Sequence, residues 1–225
     1  FGKLQCIFEL PEKDFFEFYI KKDKENNDVL YLQAWQKHLA RLYNKIPDLP
    51  FSNLWIAMKM SKSIPDNSVI HFGILNSLRS WNFFELPQTV ESSSNVGGFG
   101  IDGCISTLIG ASLVNKNKLY FGVVGDLAFF YDMNSLGNRH VGRNLRILLV
   151  NNGKGTEFRN FNNQAAQFGD SADEFIAAGG HFGNKSPLLV KNYSENLGFE
   201  YLSASNKVEF EQVYKRFLSA EILDK

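Results

Sequence analysis

The sequence predicts an α/β chain: a doubly wound parallel sheet with helices on both faces, preceded by a linker helix. Two observations carry this. Leu119–Val124 and Leu145–Val150 are short, nearly continuous apolar runs, as expected of parallel strands covered on both faces rather than strands with one wet side. They alternate with segments of helical period and close in turns of Gly, Asp and Asn, the order that generates strand–helix–strand units.

In chain order, residues 1–28 mix apolar and charged side chains and end in the run Lys21–Asp28, which reads as a solvated loop. From Val29 the period becomes helical. Leu32, Trp35, Leu39, Leu42 and Tyr43 form one apolar stripe over about 29–45, with Asp28 as N-cap and Pro47 and Pro50 as stops. Ser52 caps a helix running to Met60, Pro65–Asn67 turns, and Ser68–Phe72 is a short strand. A glycine-rich turn, Gly97–Gly103, opens a small-residue helix over Ile105–Val114. The strand Leu119–Val124 is followed by a helix starting at Phe129, and then by the strand Leu145–Val150. Asn160–Ser186 is polar and glycine-rich, and reads either as a closing lid or as a surface loop enclosing a short helix near Ala172–Ala178. Leu188–Leu197 reads as a helix, Gly198–Tyr201 as a short strand and Lys207–Leu218 as an amphipathic helix.

Composition narrows the function. With 24 basic and 24 acidic residues among 225, and a net charge of zero, the chain lacks the footprint of a nucleic-acid or anionic-membrane binder. Its 44% hydrophobic content suits a folded domain. Cys6 and Cys104 form no C-x-x-C, which fits a reducing compartment and a cytoplasmic location. No run approaches the roughly eighteen apolar residues of a membrane span, and no charged-then-apolar leader opens the chain. The opening Phe1–Pro11 reads as mid-protein sequence, so the expectation is an excised domain.

In open parallel sheets ligands gather at the carboxyl ends of strands. Here those ends carry Gly125-Asp126, Asn151-Asn152-Gly153, and Gly73 followed by Asn76-Ser77. Each is ordinary turn chemistry by itself. Asp126 and Asn152 are separated by one helix and one strand, however, so a crossover brings both tips side by side. A carboxylate beside a carboxamide suits a hard cation such as magnesium, which takes few protein oxygens and completes its shell with phosphate and water. Gly98-Phe99-Gly100-Ile101-Asp102-Gly103 also spells G-x-G-x-x-G, which keeps an NAD-binding Rossmann domain as an alternative, although no apolar run precedes it. Gly153-Lys154-Gly155-Thr156 lacks the spacing of a P-loop.

The pairing of Gly125-Asp126-Leu127 with Asn151-Asn152 resembles the cofactor motif of the thiamine diphosphate-dependent enzymes. Within them, Asn95–Gly103, Asn76-Ser77-Leu78 and Tyr31–Gln36 are most similar to the 2-succinyl-5-enolpyruvyl-6-hydroxy-3-cyclohexene-1-carboxylate synthases of menaquinone biosynthesis. The resemblance runs from about residue 30 onward. It implies that 1–48 is the tail of a central domain with a linker helix, that 49–225 is the C-terminal diphosphate-binding domain, and that the cofactors are thiamine diphosphate and magnesium. It assigns the metal to Asp126, Asn152 and the Lys154 carbonyl. Ser77 and the amides of Leu127 and Ala128, after Gly125, would meet the diphosphate at a helix start. Gly98, Phe99, Gly100 and Ile101 would lie against the aminopyrimidine, with Ile101 as an apolar wedge that bends the cofactor.

The substrates so implied are a small-molecule 2-oxo acid and an acceptor, and Asn76, Trp81, Val96, Glu157 and Phe158 fall at substrate positions. Trp81 and Val96 stand where the synthases carry arginines, and Val or Trp cannot act as a planar anion fork. Glu157 adds an acid beside Phe158. The substrate is therefore expected to differ, and a non-catalytic homologue is a further alternative. Arg79, Arg139, Arg143, Lys154 and Arg159 are the cations available to replace the lost charge. The resemblance also implies that the activating Glu lies in an N-terminal pyrimidine-binding domain absent from this chain and supplied across a homodimer or homotetramer interface. The chain by itself is accordingly expected to be inactive. Of the histidines, His71 reads as a satisfied strand residue, His38 as exposed, and His140 and His181 as loop residues near the site.

Overall fold

The computed structural model describes residues 5–22, 29–98, 100–160, 162–172 and 188–222. The chain forms two units, Phe1–Asp48 and Leu49–Lys225. The first holds helices α1 (Glu12–Lys22) and α2 (Leu30–Tyr43), neither of which has a fully buried residue. Glu12 and Asp14 open α1, and Lys21 and Lys22 close it, so its charges oppose the helix dipole favourably at both ends. Phe15 packs on Phe8 and Tyr19 along this helix. Lys21 and Lys22 are thus helical, where the sequence reading expected a loop. The proposed cap Asp28 lies outside the described residues, and the N-cap position of α2 is Val29, without a side-chain cap.

Side-chain alternation sets the architecture of the second unit. Its strands are β1 (Val69–Phe72), β2 (Glu91–Ser94), β3 (Tyr120–Gly125) and β4 (Leu145–Val150). They form one sheet in the order β2-β1-β3-β4, with every pair parallel. Ile70, Phe72, Phe121 and Val123 point to one face, where they pack with Trp55 and Met60 of α3 (Asn53–Met60), Trp81 of α4 (Asn76–Trp81) and Phe210 of α8 (Lys207–Phe217). Tyr120, Val124 and Leu145 point to the other, against Ile105 and Leu108 of α5 (Cys104–Ser112) and Phe129 of α6 (Asp126–Asp132), with α7 (Leu189–Asn196) packed alongside. The expected doubly wound α/β architecture is therefore present. Complete burial of a side chain such as Phe121 contributes about 1.5–3 kcal/mol, and both faces are covered by such residues.

Local chemistry explains the boundaries. Ser52 Oγ accepts from the Trp55 N–H at 3.3 Å to start α3, and Asn206 Oδ1 accepts from Glu209 N–H at 3.0 Å to start α8, each worth about 1 kcal/mol. Helix α6 starts at Asp126, directly after the strand and three positions before the expected Phe129, followed by a 3-10 turn over Met133–Gly137. Strand β2 was not expected. It is an exposed edge strand of sequence Glu-Ser-Ser-Ser and needs no apolar signal. Residues 198–201 pair with no strand. Gly198, at φ 84°, closes α7 as the Phe199 N–H bonds back to the Ser194 carbonyl at 2.9 Å. Short 3-10 segments occupy Thr156–Arg159 and Gln164–Ala172, whereas the helix proposed near Ala172–Ala178 lies, from 173 on, outside the described residues.

Two polar residues tie helices to the sheet. The buried Asn144 amide donates to the carbonyls of Ser112, Asn115 and Lys118, pinning the end of α5 to the start of β4. Arg146, projecting from β4 over the Phe121 ring, donates to the carbonyls of Phe217, Ser219 and Glu221 after α8. Among the described residues no helix is long and apolar enough to cross a membrane.

Gly122 marks the tightest contact between α5 and the sheet, because a Cβ there would stand 2.6 Å from Leu108 Cδ2. Gly122→Ala is expected to destabilise the protein by about 1–3 kcal/mol, and the double variant with Leu108→Ala to lose less than the sum of the two single losses, measured by urea unfolding.

Candidate functional site at the strand tips

The sheet reverses its order between β1 and β3. From β1 the chain passes through α4, on one face, to the edge strand β2. It then returns through α5, on the other face, to β3 on the opposite side of β1. A crevice opens at such a switch point, past the carboxyl ends of the strands. β1 is followed by Gly73, whose N–H is held by the Val123 carbonyl at 2.8 Å. Two residues on, Leu75 has φ 66° and ψ −123°. A branched residue avoids that region, and strain of this kind costs on the order of 1–3 kcal/mol. It aims Asn76 and Ser77 into the first turn of α4, where Ser77 is buried.

At the neighbouring tips, Gly125 pairs with Val150 in register, so Asp126 and Asn151-Asn152 leave the sheet together. Asp126 is 3% exposed. Its Oδ2 accepts from the Gly153 N–H at 2.6 Å and its Oδ1 from the Leu127 N–H at 2.8 Å. Asn152 Oδ1 accepts from the Lys154 N–H at 3.1 Å, while Asn152 and Lys154 are otherwise exposed. The carboxylate and the carboxamide therefore bond into one loop, Asn152–Lys154. The Leu127 amide, expected to face an anion, is engaged by Asp126, and Ala128 is buried in the α5 side of the core.

The loop after β4 also reaches the loop after β1, across the tip of β3. Asn76 Nδ2 donates to Thr156 Oγ1, and the Arg79 guanidinium pairs with the Glu157 carboxylate, which also accepts from Asn160 Nδ2 at 3.1 Å. Phe158 is half-buried beside this clasp. Sequence spacing could not choose among the cations, and the structure pairs Arg79 with Glu157. Arg159 is committed to Asp170 at 2.8 Å. Trp81, counted among the substrate positions, is buried in the core against Phe72, its Nε1–H without an acceptor. It borders a cavity of about 500 Å³ with Phe84, Leu86 and Val90, toward edge strand β2. Val96 is exposed in the turn after β2.

The glycine-rich loop leads from β2 to α5. Phe99 lies outside the described residues, as does His181, and Ile101 is half-buried against the α5 side of the core. Gly98, Gly100 and Gly125 all have ordinary φ, and around a Cβ at 98 or 125 nothing stands within 4 Å. Neither backbone conformation nor internal packing requires glycine there, which leaves space for something to approach the backbone closely. The loop is held at both ends. Gly103 (φ 81°) opens α5, whose Ser106 N–H donates to Asp132 of α6 at 2.7 Å. At the other end Asn95 meets His71, a contact with no sequence signal. Burial pushes the His71 imidazole below the ordinary histidine range, opposed by its bond to Asn95.

The donor set at the tips is one carboxylate, one carboxamide and backbone carbonyls. Among the described residues no group of three or more His, Cys, Asp or Glu could hold an ion; oxygen donors of the kind at the tips suit a hard cation that completes its shell with phosphate and water. The dinucleotide alternative fits less well. Its fingerprint follows an exposed edge strand, and Asp126 ends a strand separated from that edge by β1.

No family model matches the chain. It is 32% identical over 222 residues to 2-succinyl-5-enolpyruvyl-6-hydroxy-3-cyclohexene-1-carboxylate synthase of Bacteroides fragilis, covering 99% of this chain and 38% of that protein. The proteins of the same name from Phocaeicola vulgatus and Bacteroides thetaiotaomicron are 32% and 29% identical, over 96% and 100% of the chain. The chain thus spans a little under two-fifths of the length of these relatives.

Two outcomes follow from this geometry. Asp126→Ala leaves the Gly153 amide without its acceptor and is expected to cost roughly 1–3 kcal/mol, with Asp126→Asn costing less, as read by urea unfolding. Because the folded protein resists charging His71, the unfolded chain binds the extra proton first. Stability should therefore be full above about pH 6.5 and fall as the pH drops from there through the lower folded value, a loss that His71→Gln removes.

Proposed function

We propose that the chain, 32% identical over nearly its whole length to 2-succinyl-5-enolpyruvyl-6-hydroxy-3-cyclohexene-1-carboxylate synthases, is part of a member of their family, and that 49–225 is the thiamine diphosphate- and magnesium-binding domain of a 2-oxo acid decarboxylating synthase or carboligase. Residues 1–48 are then the tail of a central domain with its linker helix. The observation that carries the reading is the bond from Asp126 to the loop of Asn152, which unites an acid and an amide from adjacent strand tips at the switch point.

Asp126, Asn152 and the Lys154 carbonyl hold magnesium, which neutralises and clamps the diphosphate. Ser77, in the first turn of α4, binds a diphosphate oxygen. Gly98, Gly100 and Gly125 let the backbone approach the cofactor, and Ile101, braced by the core, holds its bend. When bound, thiamine diphosphate supplies the carbanion chemistry at the 2-oxo acid carbonyl. This chain orients the cofactor and excludes water, while the activating Glu comes from an N-terminal domain across a subunit interface. Trp81 is committed to the core and Val96 is apolar, so neither reads an acceptor anion. Arg79, already paired with Glu157, is the cation nearest to that task, and the acceptor differs from that of the synthases.

The test is a calorimetric titration of the full-length protein with thiamine diphosphate and with NAD, each with and without magnesium. Magnesium-dependent binding of thiamine diphosphate alone is expected. Binding of NAD would favour the dinucleotide reading, and binding of neither a homologue without cofactor. Gly98→Ala and Gly125→Ala should leave stability unchanged or raise it by about 0.4–1 kcal/mol, yet weaken cofactor binding by about tenfold to a hundredfold, the effect of a methyl group forced into a filled site. The chain by itself is expected not to turn over any 2-oxo acid, as followed by carbon dioxide release.

A further inference from the structure

Strand β1 sends Ile70 and Phe72 into one core and His71 to the opposite face, where the ring is 4% exposed. Buried imidazoles in apolar surroundings need both nitrogens matched, and here they are. Nδ1 lies 2.8 Å from Oγ of Ser93, the direct partner of His71 on β2. Nε2 meets Oδ1 of Asn95, the first residue after that strand, and the Asn95 amide reaches Thr107 Oγ1 on α5 at 3.5 Å. Since a carboxamide oxygen accepts, Nε2 carries the proton, and Ser93 donates to Nδ1. One ring thus joins β1, β2 and, through Asn95, α5, at the point where the glycine-rich loop leaves the sheet.

Among the described residues, the first part of the loop beyond Asn95 is open to solvent. Gly97 and Gly98 contribute no side chain and are exposed, as are Val96 and Gly100. We propose that His71 is a positioning residue: held as the Nε2–H tautomer, it fixes Asn95 and so sets the path of the loop Asn95–Gly103. On the reading proposed above, that path decides where Gly98, Gly100 and Ile101 meet the cofactor, and this last step alone rests on that reading.

The experiment compares full-length wild-type protein with His71→Leu, His71→Gln and Asn95→Ala. In the wild type, nitrogen chemical shifts identify the His71 tautomer without any substitution. Hydrogen exchange of the amides 95–103, without cofactor, then reads the loop. We expect the Nε2–H form, loop exchange accelerated about tenfold or more in His71→Leu and in Asn95→Ala, unchanged protection in β3, and no further acceleration in the double variant, since the two residues act as one unit. Gln can still donate to Asn95 and should restore most of the protection. An Nδ1–H tautomer in the wild type, or loop exchange in His71→Leu equal to that of the wild type, overturns the proposal. If His71→Leu fails to fold, Asn95→Ala and the tautomer decide. Thiamine diphosphate affinity measured in the same proteins separates the two levels: absent binding by the wild type with a loosened loop in the variants refutes the cofactor reading and supports the anchor.

Discussion

The bond from Asp126 to the Gly153 amide is the constraint on which the rest of the second unit's working end depends. A carboxylate at 3% exposure is costly unless its oxygens meet donors. Here the donors are backbone amides, one of them in the loop after the next strand. Satisfying the acid therefore requires β3 and β4 to be paired in register to their last residues, as they are at Gly125 and Val150. It also ties the loop that carries Asn152 to Asp126. From there the Asn76–Thr156 and Arg79–Glu157 contacts extend the arrangement back to the tip of β1. The half-exposed ion pair adds little energy; its effect is positional.

Much of this was legible in the residues. The continuous apolar runs of β3 and β4 betray strands covered on both faces, and the Gly-Asp and Asn-Asn-Gly turns mark their ends. Caps at Ser52 and helical periodicity over Leu30–Tyr43 and Lys207–Phe217 were equally plain. What escaped has physical causes. Strand β2 is polar because its side chains are little covered on either face of the sheet, and so it lacked any apolar pattern. Helix α1 mixes acids, lysines and aromatics so evenly that its charges disguised its period. The partnerships of His71 with Asn95, and of Asn144 with three carbonyls, join elements distant in sequence; such pairs leave no local trace.

Trp81 shows how one substitution can redirect a position. The resemblance leads one to expect a cation at this position, and the fold turns the aromatic that stands there inward against Phe72. Glu157, which alone would repel anions, is matched by Arg79. At this end of the sheet the charge of Arg79 is thus met by a carboxylate, while Trp81 is taken up by the core.

Arg146 carries a different implication. Its guanidinium sits among apolar neighbours on a sheet face and is answered by the carbonyls of Phe217, Ser219 and Glu221. A guanidinium does not surrender its proton to escape such a position. Trimming this polypeptide ahead of Phe217 would take three carbonyl partners from a half-buried positive charge, so the last turn of α8 and the few residues following it support the second unit rather than being a dispensable tail.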